Sequence, residues 1–161
     1  MTDGPAAKAD LFEARIGVFA TPDGVAKTVA ALSALLRKEG SMSAPLPWDI
    51  KVVEEDDGTD PDDMPLTEFY DELPDQWHAE HPGEDPGERT VHEIRVGMFL
   101  PEAQGHEIRQ RLNLVLCPEL QHSGPCPIPW SSSYVDPITE SERDYLERTY
   151  PRLRPAGRAG N

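Results

Sequence analysis

Three side chains in the C-terminal half of the chain have the chemistry to bind a metal ion. Cys117, His122 and Cys126 form a Cys-x4-His-x3-Cys cluster in a segment rich in proline and glycine. Thiolate and imidazole are zinc ligands, and a structural zinc site takes four of them. A fourth would have to come from His92, His106 or a carboxylate, whereas a catalytic zinc needs only three protein ligands and a water. The spacing matches no zinc motif, so we expect no cofactor and keep zinc at this cluster as the alternative.

Two cysteines are too few for a disulfide framework. In a reducing compartment they are expected to be thiols or metal ligands rather than a bridge. Eight residues separate them, unlike the Cys-x-x-Cys spacing of redox pairs. We interpret the segment as a loop with incidental thiols.

A pair of histidines, His78 and His81, flanks Glu80. On a regular helix, side chains three residues apart could face one ion. Pro82 follows at once, however, and the zinc-protease pattern His-Glu-x-x-His has its histidines four residues apart on a firm helix. The pair therefore predicts adventitious metal binding at most.

Nucleophilic catalysis has candidates but no supporting pattern. Cys117, Cys126 and the serines at 131–133 could attack a substrate, with His122 as base. An activated nucleophile needs a base within hydrogen-bond reach and a third group that orients the base, and the spacing shows neither. The glycine-containing motifs of hydrolases, P-loop proteins and dinucleotide-binding proteins are absent from the sequence. A non-catalytic function is favoured.

Two short stretches, about eighty positions apart, repeat the same pattern. Residues 15–22 read Arg-Ile-Gly-Val-Phe-Ala-Thr-Pro, and residues 95–101 read Arg-Val-Gly-Met-Phe-Leu-Pro. Each leads into a segment with helical spacing of apolar residues, which indicates a strand–helix unit used twice.

The repeat places an aromatic and a cationic side chain on the same face of each strand. They are Arg15, Phe19, Arg95 and Phe99. If that face is open, the four form an apolar surface with a cationic rim that could bind a partner, a ligand or a second copy of the chain. Alternatively, the phenylalanines are covered core and the arginines are solvated edge residues.

The negative charge is concentrated in one segment. The net charge is −15, yet residues 54–88 hold 15 Asp and Glu and no Lys or Arg, which leaves 15 acids and 15 bases elsewhere. Such a surface repels nucleic acid and favours encounter with a basic protein. Because charge, proline and glycine dominate this segment, most of it is expected to be mobile.

Within that segment, five apolar and aromatic residues are an exception to the expected mobility. They follow helical spacing and predict a short amphipathic helix that docks on the domain or on a partner. The residues are Leu66, Phe69, Tyr70, Leu73 and Trp77.

Periodicity predicts four strands and three further helices around these residues. Alternating apolar residues indicate strands at 11–20, 48–53, 91–100 and, more weakly, 130–135. Thr21-Pro22-Asp23 and Pro101-Glu102 begin long helices, and the capping-box pattern Thr139-x-x-Glu142 begins the last.

The resulting order, β-α-β, insertion, β-α-β, predicts a ferredoxin-like α+β fold of duplicated βαβ units. Right-handed crossovers place the two long helices on one face of an antiparallel sheet. We expect a single domain over 11–150 with a long acidic insertion at 54–89 and a C-terminal helix. Residues 1–10 and 151–161 are expected to be disordered.

Part of the first unit resembles the ACT-type ligand-sensing modules, in which a strand, a Pro-Asp-Gly-like turn and an amphipathic helix precede a second strand. Pro22-Asp23-Gly24, Leu32, Leu36 and Gly40 carry the resemblance, which covers about a sixth of the chain. The insertion after Val53 and the proline-rich stretch after Cys117 depart from the pattern, so it implies no particular ligand.

The sequence has no apolar run long enough to cross a membrane, and it shows no signal peptide at its start. A cytoplasmic protein is therefore expected. We predict a non-catalytic protein-interaction module, such as an adaptor, inhibitor or immunity-type protein. It would bind a basic partner through its acidic segment and sheet face. The alternative is a small-molecule-sensing regulatory domain, or a small enzyme that uses the Cys117–Cys126 segment.

Overall fold

The computed structural model describes residues 8–40, 47–53, 65–117 and 128–153. In these residues the chain forms four strands and five helices. In chain order they are β1 (Ala9–Ala20), α1 (Pro22–Gly40), β2 (Trp48–Val53), α2 (Leu66–Phe69), α3 (Glu72–Glu80), β3 (Thr90–Pro101), α4 (Glu102–Leu116), β4 (Trp130–Val135) and α5 (Glu140–Thr149).

The strands form one sheet in the order β2-β3-β1-β4, in which every neighbouring pair is antiparallel. The predicted ferredoxin-like arrangement of two βαβ units is confirmed. The long strands β1 and β3 lie at the centre, and Arg15 of β1 is directly opposite Arg95 of β3. The register is therefore symmetric about this pair. Gly17 of β1 is opposite Glu93 of β3, and the equivalent Gly97 of β3 is opposite the equivalent Glu13 of β1.

The main core lies between one face of the sheet and the two long helices. Alternate residues of β1 and β3 point into it, as the period of two predicted. Helices α1 and α4 add stripes at helical spacing, which confirms their placement on a single face. The core comprises Phe12, Ala14, Ile16, Val18, Ala20, Val25, Leu32, Leu36, Ile94, Val96, Met98, Leu100, Ile108, Leu112 and Leu116.

Two threonines begin helices as their patterns predicted. The backbone N–H of Gly24 donates to Thr21 Oγ1 at 3.0 Å, in the first turn of α1. At α5 the backbone N–H of Glu142 donates to Thr139 Oγ1 at 3.1 Å, and the N–H of Thr139 donates back to the Glu142 carboxylate at 3.2 Å. These bonds satisfy N–H groups that have no partner within the helix.

The second face of the central strands is covered by α2, α3 and α5, so of the two alternatives, an open and a covered face, the covered one is observed. The amphipathic helix predicted from Leu66 to Trp77 is observed as α2 and α3, which pack on the sheet. Apolar anchors outweigh the segment's charge there, because Leu66, Leu73 and Trp77 are all buried. The rest of the insertion, residues 54–64, lies outside the described residues.

Two small apolar clusters attach these helices to the sheet, and we name each by its tyrosine. The Tyr70 cluster comprises Phe19, Leu66, Tyr70, Leu73, Trp77 and Val91. The Tyr150 cluster comprises Leu11, Leu146, Tyr150 and Leu153, with Phe99 packed against them.

Apart from Trp77, the members of the two clusters correspond at an offset of 80 positions. Leu66 corresponds to Leu146, Tyr70 to Tyr150 and Leu73 to Leu153. The sequence repeat thus extends beyond the strand–helix units to the helices that cover the second face.

In each cluster the tyrosine ring lies directly on a glycine of a central strand. A Cβ added to Gly17 would lie 2.3 Å from Tyr70 Cε1, and one added to Gly97 would lie 2.3 Å from Tyr150 Cε1. No side chain can approach a ring this closely. Glycine is required at both positions because the ring occupies the volume of a Cβ.

At the chain ends the observed boundaries are wider than predicted. Strand β1 begins at Ala9, and Leu153, beyond the predicted end of the domain, is buried. Residues 1–7 and 154–161 of the predicted disordered ends lie outside the described residues. No helix in the described part of the chain is long and apolar enough to cross a membrane.

Replacing Gly17 with Ala is expected to lower the free energy of unfolding by about 1–3 kcal/mol, because the new methyl group displaces the Tyr70 ring. Gly105 is the matched control. A Cβ there would lie 3.9 Å from its nearest neighbour, and alanine favours the interior of α4, so Gly105→Ala is expected to stabilise by up to about 1 kcal/mol. Urea unfolding of both variants measures the difference, and equal effects would contradict the proposed ring contact.

Candidate functional site

The residues of the predicted cationic surface lie at the centre of the second face of the sheet. Arg15 and Arg95 are opposite each other. On each strand a glutamate, Glu13 or Glu93, stands two residues before the arginine. The register places Glu13 opposite Gly97, and Glu93 opposite Gly17. A tyrosine that lies on either glycine therefore points its hydroxyl at the glutamate of the neighbouring strand.

Both glutamates accept hydrogen bonds from the covering helices. Tyr150 Oη donates to Glu13 Oε2 at 2.5 Å, and Tyr145 Oη donates to the same oxygen at 2.7 Å. In the other half, Tyr70 Oη donates to Glu93 Oε2 at 2.7 Å.

Each glutamate also pairs with the arginine of its own strand. Arg15 Nε donates to Glu13 Oε1 at 2.6 Å, and Arg95 Nε donates to Glu93 Oε1 at 2.5 Å. Burial alone would lower the pKa of Arg15, but Glu13 outweighs it, so the pKa is raised. We call Glu13, Arg15, Glu93, Arg95 and the three tyrosines the buried polar network.

The tyrosines act as hydrogen-bond donors. Burial and the adjacent Glu13 raise the pKa of Tyr145 to about 12. Burial, together with a neighbouring glutamate, also raises the pKa values of Tyr70 and Tyr150 well above the ordinary value. All three phenols keep their protons at neutral pH.

The buried polar network is suited to holding the structure together rather than to catalysis. A general base needs a pKa near the working pH and access to a substrate proton, whereas these phenols titrate far above neutrality. Both Glu13 and Glu93 are buried, and both oxygens of each already accept hydrogen bonds. Hydrogen bonds to a charged group contribute about 1.5–3 kcal/mol each.

Most of the predicted partner-binding residues are buried within the domain. Phe19, Tyr70, Trp77 and Arg95 are each at most 6% exposed. Arg15 lies beneath Tyr145, with its guanidinium 5.1 Å from the ring centre. The interpretation of the phenylalanines as covered core is therefore correct for Phe19.

The remaining two predicted partner-binding residues differ from each other. Phe99 is half-buried against the Tyr150 cluster. Phe69 is 53% exposed, and its ring meets Tyr70 edge-on at 4.7 Å. Because the central strands are covered, the predicted homodimer through an open sheet has no surface in the described residues.

Phe69 lies on a strongly acidic surface formed by α2, α3 and the turns that follow. Residues 65–88 contain no Lys or Arg, and seven of their carboxylates are exposed. We name this set together with Phe69 the acidic surface. Its carboxylates belong to Glu68, Asp71, Glu72, Asp75, Glu84, Asp85 and Glu88.

The predicted zinc ligands are not brought together in the part of the chain that the structure describes. Cys117 is buried at the end of α4, and His122 and Cys126 lie outside the described residues. His106 is exposed and lies 3.6 Å from Glu102. Among the described residues, no three His, Cys, Asp or Glu side chains are close enough to hold a metal ion.

The predicted histidine pair instead packs on an aromatic ring. His81 stacks on Trp77 with ring centres 4.5 Å apart, and His78 meets the same ring edge-on at 5.2 Å. His81 lies just beyond the end of α3. Both imidazoles therefore help to cover Trp77.

Sequence analysis missed the buried polar network, because it compared only the residues from Arg15 and Arg95 onward. Both strands read Glu-x-Arg-x-Gly, at 13–17 and at 93–97. A comparison at the same offset of 80 would also have matched Tyr70 with Tyr150. The repeated residues of the network were therefore visible in the sequence, whereas the contact between tyrosine ring and glycine was not.

Comparison with known proteins adds little to this geometry. The sequence matches no protein-family model and no curated protein. A crystal structure from methicillin-resistant Staphylococcus aureus, of a protein proposed to be an aminohydrolase, aligns with 92% of this chain at a TM-score of 0.44 and 11% identity. The chain spans only 36% of that protein.

Alkaline pH is expected to destabilise the protein through the buried phenols. Tyrosines in the unfolded chain ionise near pH 10, whereas the folded pKa of Tyr145 is about 12 and those of Tyr70 and Tyr150 are also raised. The unfolded state then binds fewer protons than the folded state, so the free energy of unfolding falls as pH rises above about 10. Below that pH the contribution is fully present.

Urea unfolding at several pH values, together with the ultraviolet absorbance of phenolate, measures this effect. The variant Tyr150→Phe removes one raised pKa, so its stability is expected to fall less steeply above about pH 10 than that of the wild type. Ionisation of all the tyrosines near pH 10 in a protein that remains folded would contradict the network.

Proposed function

We propose that this protein is a non-catalytic interaction module that binds a basic protein partner through the acidic surface. The observation that carries the proposal is the exposed Phe69 among carboxylates with no cation between residues 65 and 88. A predominantly acidic surface speeds encounter with an oppositely charged partner and disfavours partners of like charge. An exposed aromatic side chain supplies apolar area that electrostatics does not.

The equivalent helix of the other half supports this proposal. At the positions that match Glu68 and Phe69 it carries Arg148 and Thr149, and the turn that follows carries Arg152 at the position of Glu72. The buried leucines and tyrosine are the same in both halves, so the fold requires neither the acids nor the exposed phenylalanine. A role in recognition explains their presence on α2 and α3.

The sequence predicted that the partner would bind the sheet face as well as the acidic segment, and the proposal keeps only the acidic segment. The central strands are covered by the chain itself, so the partner is proposed to bind α2 and α3 rather than the sheet. An adaptor, an inhibitor or an immunity-type protein would each use such a surface. The alternative function at Cys117, His122 and Cys126 stays a prediction, because only Cys117 is among the described residues.

Neutralising three carboxylates of the acidic surface is expected to weaken partner binding by about tenfold or more at low salt, because three attractive charges are lost. The variant is Glu68→Gln/Asp71→Asn/Glu72→Gln, and Phe69→Ser tests the aromatic side chain separately. The wild-type protein is first used to capture partners from a native cell extract, and these are identified. The affinity of each purified partner for the wild type and for each variant is then measured.

The control variant, Glu107→Gln/Glu140→Gln/Asp144→Asn, removes the same three charges from exposed positions on α4 and α5. Wild-type affinity in this control, with release of the partner by added salt, would support the proposal. A partner that binds the acidic-surface variant and the wild type equally well would refute it.

A further inference from the structure

A cavity of about 460 Å³ lies between the edge strand β2 and the C-terminal end of α5. Its volume is within the usual range of small-molecule sites, roughly 300–1,000 Å³. Its apolar lining residues are Trp48, which is half-buried, and Tyr150 and Leu153, which are almost fully buried. The remaining lining residues are Asp49, Lys51, Arg148, Thr149, Pro151 and Arg152.

The charge of this cavity is opposite to that of the protein as a whole. Three cations line it against one carboxylate, in a chain whose net charge is −15. Lys51 Nζ lies 3.3 Å from Asp49, and both side chains are nearly half exposed. Among the described residues, Arg148 and Arg152 have no ion-pair partner, and both are exposed to solvent.

The internal repeat shows that these cations are not needed to build the cavity walls. The sheet register makes Ser133 the equivalent of Lys51, and Arg148 and Arg152 correspond to Glu68 and Glu72. The Tyr70 cluster nevertheless packs on its strands in the same way as the Tyr150 cluster. One half therefore forms the same contacts with acids where the other has cations.

We propose that this cavity binds a small organic anion that carries a phosphate or carboxylate group. Two guanidinium groups present paired N–H donors to such an oxyanion, and the Lys51 ammonium adds a third cation. The half-buried Trp48 side chain offers apolar contact to the organic part. The residues that line the cavity include none of the acidic surface, so the site is distinct from the proposed protein interaction.

Distant carboxylates do not prevent this binding. At physiological ionic strength, charges more than about 8 Å apart are largely screened when exposed to solvent. The anion then experiences mainly the lining residues, which carry three cations and one acid.

Calorimetric titration of the full-length protein at physiological ionic strength tests the proposal. The phosphate probes are inorganic phosphate, ribose 5-phosphate and AMP, and the carboxylate probe is citrate. Ribose and adenosine are the matched neutral controls. At least one anion is expected to bind, while its neutral counterpart does not.

The variant Arg148→Gln/Arg152→Gln is expected to lose at least tenfold in affinity for that anion. Arg143→Gln is the matched control. Arg143 also lies on α5 but does not line the cavity, and its guanidinium lies 3.2 Å from the Asp10 carboxylate. Its affinity should equal that of the wild type. Thermal unfolding verifies that each variant is folded.

Several results would overturn the proposal. They are no binding of any anion to the wild type, undiminished binding in the double variant, or an equal loss in Arg143→Gln. Binding of a polyglutamate peptide but of no small anion would also overturn it and would assign the cavity to an acidic protein segment instead.

Discussion

The fold depends on the contact between a tyrosine ring and a glycine on a central strand. Because the antiparallel register places Glu13 opposite Gly97 and Glu93 opposite Gly17, each ring that lies on a glycine reaches a glutamate on the next strand. The glutamate holds an arginine of its own strand, and the arginines meet at the centre. One repeated arrangement thus covers the second face of the sheet and satisfies the charges buried there.

The same arrangement explains why so acidic a segment is folded. Residues 65–88 carry eight carboxylates and no Lys or Arg, a composition typical of disordered chains. Tyr70 nevertheless fills the space above Gly17 and donates to Glu93, while Leu66, Leu73 and Trp77 bury apolar area. The acids remain at the surface, where water and salt reduce their mutual repulsion.

Local patterns were sufficient to predict the strands, the long helices and the sheet topology. The alternation in β1 and the threonine caps of α1 and α5 depend on neighbours a few residues away, which the sequence displays directly. The cover of the second face depends on pairs such as Gly17 with Tyr70, which are 53 positions apart. The helical spacing around Tyr70 predicted a docked helix, but nothing local indicated that its ring packs on Gly17.

The two halves share their buried residues and differ in the exposed ones. Glutamates at 68 and 72 in the first half correspond to arginines at 148 and 152 in the second. Since the shared residues suffice for the fold, the differences are where recognition is expected. The acidic surface and the cationic cavity are therefore two products of one scaffold, each proposed to bind a ligand of opposite charge.

Double-mutant cycles across both tyrosine–glutamate pairs test the account most directly. Unfolding free energies are measured for Tyr150→Phe, Glu13→Ala and their combination, and for Tyr70→Phe, Glu93→Ala and theirs. The account predicts coupling energies of about 1 kcal/mol or more in both cycles, because each hydroxyl donates to a buried carboxylate. Additive effects in either cycle would show that the tyrosine does not bind its glutamate, and would contradict the account.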